Sequence, residues 1–135
     1  MAALDIDILS ALSDNYIYLL RKPDSGTVAV VDPSTAEPVI EALEARGLGL
    51  DLILNTHHHH DHIGGNAALK ARYGARIVGP RSEVSRIPDL DRTVGQGDEV
   101  AVGGEMASVI ETPGHTSGHI AFWFPTSKAL FCGDT

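Results

Sequence analysis

The sequence holds a single cysteine, Cys132, in 135 residues. No disulfide can form within the chain, and a cytoplasmic location is expected. No apolar run approaches the length of a membrane span, which argues against a transmembrane helix. Basic residues are scarce: ten Lys and Arg stand against eighteen Asp and Glu, for a net charge of −8. With no basic stripe to displace the counterions of a nucleic-acid backbone, a nucleic-acid partner is not expected. The opening Met-Ala-Ala-Leu-Asp-Ile-Asp lacks the basic and then apolar stretches of a secretory signal. Repeats, low-complexity tracts and a Gly-x-Ser-x-Gly nucleophile elbow are absent too. Cys132 lies in an apolar run with no basic neighbour to favour a thiolate, so a packed core thiol is expected there rather than a nucleophile.

What is present is enough for one packed core, at 43% hydrophobic and 21% charged residues. Short apolar runs at Ile6 to Leu9, Tyr16 to Leu20 and Thr27 to Val31 read as strands, the last two joined by the turn-rich Lys22-Pro23-Asp24-Ser25-Gly26. Ser34 and Glu37 then have capping-box spacing, and Ala36, Ile40 and Leu43 recur at helical intervals up to Gly47. Leu52-Ile53-Leu54 reads as a strand covered on both faces. A short helix is predicted over Asn66 to Tyr73, stopped by Gly74, and a strand at Ile77-Val78. The stretch from Gly79 to Gly97 reads as loop. Strand-like runs return around Val100 to Val102, Ala107 to Ile110, Ile120 to Phe124 and Ala129 to Cys132. Interleaved strands and helices predict an α/β or α+β class with a mixed sheet and no internal domain boundary.

All seven histidines fall in two stretches, five in Thr56 to Gly65 and two in Thr112 to His119. Each stretch follows a predicted strand and is punctuated by glycine, which places it in a loop held by a sheet. If the chain is extended at His57, residues two apart point the same way, so His57 and His59 can converge on one metal while His58 and His60 face elsewhere. Asp61 and His62 follow where the chain turns into a helix, within reach of a second metal. Imidazole and carboxylate ligands suit zinc, and also iron or manganese. Asp134, just past an apolar strand, can add a carboxylate at the same sheet edge. His58, His60 and His119 read as structural.

The pattern His57-x-His59-x-Asp61-His62 resembles the metal signature of the metallo-β-lactamase superfamily. The order of Asp14-Asn15-Tyr16, Val31-Asp32-Pro33, Thr56 to Gly65, Thr112 to Ile120 and Phe131-Cys132-Gly133-Asp134-Thr135 is similar to the amino-terminal part of the glyoxalase II family, the hydroxyacylglutathione hydrolases. The resemblance implies an αββα sandwich. It assigns His57, His59 and His115 to a first metal, Asp61 and His62 to a second, and Asp134 as the bridge between them. Asp32 matches an aspartate near the site that orients a ligand imidazole. His58, His60 and His119 match positions that are not ligands.

The implied activity is hydrolysis of S-D-lactoylglutathione to glutathione and D-lactate, a step of methylglyoxal detoxification, by hydroxide held between two divalent ions, zinc foremost. The implied partner is a small glutathione thioester, and the implied state a monomer. The family's last metal-binding histidine, its glutathione-binding residues and its helical carboxyl-terminal domain have no counterpart in residues 1–135, which are expected to form a partial domain with open apolar strand faces, one well-held metal and little activity alone. Other readings are a different hydrolase of the superfamily, a persulfide dioxygenase with one iron, or a non-catalytic metal-binding fragment. His62 argues against a β-lactamase proper.

Overall fold

The computed structural model describes residues 3–11, 15–112 and 118–133. The first sheet is built from β1 (Asp5–Ala11), β2 (Asn15–Lys22), β3 (Thr27–Val31), β4 (Leu52–Leu54), β5 (Arg76–Pro80) and β6 (Arg92–Val94), in that spatial order. β1, β2 and β3 are antiparallel neighbours, whereas β3 through β6 run parallel. Between β3 and β4 the chain runs through α1 (Glu37–Arg46), and between β4 and β5 through α2 (His60–Ile63) and α3 (Asn66–Tyr73). Parallel strands need crossover connections, and these helices supply them. A second, antiparallel sheet has the order β10 (Ala129–Phe131), β9 (Ile120–Phe124), β8 (Glu105–Glu111), β7 (Glu99–Val102).

Alternation along β3 shows how the layers form. Val28 and Val30 face the helices and pack with Val39, Leu43 and Leu69, while Ala29 and Val31 face the second sheet and pack with Val100, Val109, Phe122 and Phe124. Ile53 and Leu54 divide in the same way, so β4 is covered on both faces as its apolar run requires. The result is three layers, α/β/β, among the described residues. The inner faces of the two sheets close on each other, contrary to the expectation that this length of chain would leave them open. The reason is that strands of both sheets lie within 135 residues. Exposed large apolar side chains remain outside that core: Ile6 and Ile8 on β1, Tyr16 on β2, Val84 after the turn that follows β5, and Met106, Ile110 and Leu130 on the outer face of the second sheet.

Two local expectations are corrected. Ser34 does not cap α1: the helix begins later, with Ala36 at the N-cap making no side-chain hydrogen bond and a proline in its first turn. The stretch after β5 is not all loop. It contains a 3-10 turn at Arg81–Glu83 and then β6, which pairs Val78 with Arg92 and Pro80 with Val94. Three residues with only Val94 buried carry no readable period. No helix among the described residues is long and apolar enough to cross a membrane.

Candidate metal centre

The parallel strands β3, β4 and β5 end at one edge of the sheet, where ligands bind in open α/β sheets. The loop after β3 delivers Asp32, the loop after β4 delivers Thr56 to His62, and the turn after β5 delivers Glu83. Asp32 takes a left-handed backbone conformation, φ 50°. Aspartate tolerates that region better than most residues, and such strain gathers at functional positions. The turn aims its buried carboxylate back over β4. Oδ1 accepts from the Thr56 N–H at 2.8 Å, and Oδ2 accepts from the Thr56 hydroxyl at 2.7 Å and from His62 Nδ1 at 3.0 Å.

These bonds favour one imidazole tautomer at each ring. An ionised carboxylate only accepts, so His62 must carry its proton on Nδ1. Thr56 Oγ1 gives its one proton to Asp32 and therefore accepts from His57 Nδ1, 2.9 Å away. When these rings are neutral the lone pair is then on Nε2, the arrangement of metal-binding histidines whose other nitrogen is held by a carboxylate or hydroxyl. His62 Nε2 lies 3.6 Å from Asp61 Oδ2. Ligand atoms on one tetrahedral zinc are about 3.4 Å apart, given bonds of about 2.0–2.2 Å. The donor set therefore fits a divalent cation.

The rings crowd together. His57 is 4.2 Å from His62 and 4.9 Å from His59 between centroids, and it stacks on His119 at 4.7 Å. Donor atoms of Asp32, His57 and His62 all lie within 4.8 Å of one another. The segment before α2 is bent rather than extended; the His59 ring lies 4.9 Å from the rings of both His57 and His58, and His58 Nδ1 meets Glu83. Asp61 is held from β2, where the Asn15 amide donates to its Oδ2 at 3.2 Å and to its carbonyl at 3.3 Å. Burial pushes the Asp61 carboxyl up, but the Asn15 bond and the charges of His62 and His59 outweigh it and hold the group below its ordinary value of 3.8.

Other sequence-selected residues have supporting places. His119 is buried, with Nδ1 2.7 Å from Thr112 Oγ1. Gly133 has φ 57°, and a Cβ there would lie 2.4 Å from Thr56 Oγ1 and 2.7 Å from His119 Nε2. Glycine thus lets the chain after β10 press against the site. Cys132 is half-buried just beyond β10 and is not a core thiol, because the strand ends one residue earlier. His115 and Asp134 lie outside the described residues, as does the side chain of His60.

Sequence reading passed over Thr56 as a hydrogen-bonding relay, Asn15 as a partner of Asp61, and Glu83. It also passed over the buried pair Asn55 and Asn66, linked at 2.7 Å, with the Asn55 amide donating to the His62 carbonyl. Only Thr56 and Asn15 left a trace in the sequence, by lying within or beside the histidine and Asp-Asn-Tyr motifs.

Comparison with known proteins agrees with this geometry. Residues 12–135 match the family model described as the metallo-beta-lactamase superfamily. The chain is 57% identical over 135 residues to a hydroxyacylglutathione hydrolase of Rhodospirillum rubrum, covering 100% of this chain and 53% of that protein. It is 52% identical over 132 residues to the protein of that name from Methylococcus capsulatus, covering 98% and 52%. The chain thus spans about half the length of the curated relatives it matches. Among solved structures, the BLEG-1 B3 metallo-beta-lactamase superposes with a TM-score of 0.85 at 24% identity, over 96% of this chain and 72% of that one. ETHE1 from Myxococcus xanthus gives 0.78 at 29% identity, over 92% and 54%. Fold, edge-clustered imidazoles and family match lead to one statement: the chain belongs to the metallo-beta-lactamase superfamily.

Proposed function

We propose that this chain forms the metal-binding part of a hydroxyacylglutathione hydrolase, cleaving S-D-lactoylglutathione and related 2-hydroxyacyl thioesters in methylglyoxal detoxification. The observation that carries the reading is the run Asp32–Thr56–His57 with Asp32–His62, which fixes both imidazoles with Nε2 as the donor. Similarity over the whole chain to proteins of that name supports the substrate class.

In this reading His57, His59 and His115 would hold one divalent ion and Asp61 and His62 a second, with Asp134 as a further ligand of both, and zinc is the favoured metal. When bound, such ions supply the acidification of water and the stabilisation of negative charge that thioester hydrolysis needs. The chain's own residues do the positioning. Asp32 holds His62, Thr56 ties His57 to Asp32, and Asn15 keeps Asp61 ionised and aimed. No side-chain nucleophile is required. The single cysteine supports a cytoplasmic location, and we assign a monomer.

A chimera tests this: the matched segment of the Rhodospirillum rubrum relative is replaced by this chain. The expected result is thioester hydrolysis, read as loss of thioester absorbance, that chelation abolishes and zinc restores. His57→Ala in the chimera should remove it. A chimera that folds and binds zinc but leaves the thioester intact contradicts the substrate; one unaffected by chelation contradicts the metal.

A further inference from the structure

Glu83 lies in the 3-10 turn after β5, about as far from the histidine motif in sequence as Asp32 is, yet its carboxylate is in the loop that carries the motif. It is 2% exposed. Its Oε1 accepts from the His58 N–H at 2.7 Å and lies 2.9 Å from His58 Nδ1. His58 sits between His57 and His59, so one carboxylate oxygen grips the backbone and side chain of the residue dividing the two. Glu83 also meets the second histidine stretch. A Cβ on Gly118 would lie 2.4 Å from Glu83 Cγ and 3.1 Å from its Cδ, so that backbone rests on the acid's side chain. Its own turn is secured where the Arg86 and Ile87 N–H groups donate to its carbonyl at 2.9 and 3.2 Å.

Burying a carboxylate is costly unless it is well bonded, and the bonds of Glu83 include two to the β4–α2 loop. A structural acid in a turn normally serves its own turn. This one joins the β4–α2 loop, which carries His57 and His59, to Gly118, two residues before β9 and within the second histidine stretch of the sequence.

We propose that Glu83 is a positioning residue for the metal centre, setting the spacing of the two histidine-bearing loops through His58 and Gly118. The inference rests on the metal-site reading given above. It predicts that Glu83 determines metal affinity without touching the ion, as partners of ligand-bearing groups do, by about 10- to 100-fold.

Zinc affinity of the 135-residue chain is measured by competition with a chromophoric chelator, with urea unfolding of the metal-free protein alongside. Glu83→Ala should weaken zinc binding at least 10-fold in protein that remains folded. Glu83→Met, which fills the volume without an acceptor, should do the same and replaces Glu83→Ala if that variant does not fold. Glu83→Gln, whose carbonyl oxygen can still accept from the His58 N–H, should recover most of the affinity. A role in stability alone would lower the unfolding midpoint of all three variants and leave the affinity of the folded protein unchanged; that result overturns the proposal. If the unmodified chain binds no zinc, the metal-site reading falls and this inference with it. If it binds and Glu83→Met binds equally, only the role of Glu83 is overturned.

Discussion

Both ends of the sandwich bury charge, and they do so differently. At the end opposite the metal centre, Lys22 and Glu105 form an ion pair at 3.2 Å with side chains 1% and 0% exposed. Glu105 Oε2 also accepts from the Ser127 N–H and hydroxyl at 3.1 and 2.6 Å, and the Leu4 N–H donates to Ser127 Oγ at 2.9 Å. Three turns converge here, β2–β3, β7–β8 and β9–β10, and Gly103 packs so closely that a Cβ would lie 3.0 Å from that of Lys22. Opposite charges meet within the fold itself. At the other end Asp32 meets a hydroxyl, an amide and an imidazole, and imidazoles crowd around it. One end is a clamp between the sheets. The other is an arrangement of aligned donors whose charge balance is suited to a cation from outside the chain. Burial of charge is thus no mark of function by itself; the identity of the partner is.

The largest expected effect lies at the clamp. Lys22→Met leaves Glu105 buried without its counter-charge and should destabilise the fold by about 3–5 kcal/mol, measured by urea unfolding. Pairing it with Glu105→Leu should restore most of the loss, since a buried ion pair replaced by apolar groups of similar size is often neutral. If the single substitution were harmless, the two ends would not differ as described.

Next in size is Thr56→Val, which keeps the shape and removes the hydroxyl between Asp32 and His57. Zinc affinity should fall about 10- to 100-fold, with Thr56→Ser recovering it. The comparison sharpens if Thr56→Val spares the clamp, and breaks if zinc binding is indifferent to the hydroxyl.

The smallest effect is an acid limb that belongs to neither end. Lys70, and then the Ile77 N–H, hold the Asp91 carboxyl below its ordinary value of 3.8 against a modest opposing effect of burial. Because the folded-state value is the lower one, this stabilisation is present in full above about pH 3.8 and is lost as pH falls through the folded-state value. Asp91→Asn should therefore lower stability at neutral pH and flatten its decline in acid, measured as the unfolding midpoint against pH.

Much of the fold was legible because each strand is a half-buried or fully buried run. The boundaries expected for β3, β4, α3 and β9 match the observed ones. β6 was not, since its partner is set by register with β5 and not by its own three residues. At the site, the histidine motif announced itself by residue type and spacing. Thr56, Glu83 and Asn15 did not, because a hydroxyl, a carboxylate and an amide acquire meaning only from what the fold brings near. Asn15 and Asp61 are 46 residues apart, and His58 and Glu83 are 25 apart. Ser34 illustrates the reverse: correct capping-box spacing, but a helix that starts too late to use it.

The most direct test of the central claim is zinc content per chain after dialysis against metal-free buffer, for the unmodified chain, His57→Ala and Lys22→Met joined with Glu105→Leu. The account predicts that His57→Ala remains folded and loses its zinc, while the clamp variant keeps as much as the unmodified chain. Equal zinc in His57→Ala and the unmodified chain would contradict it.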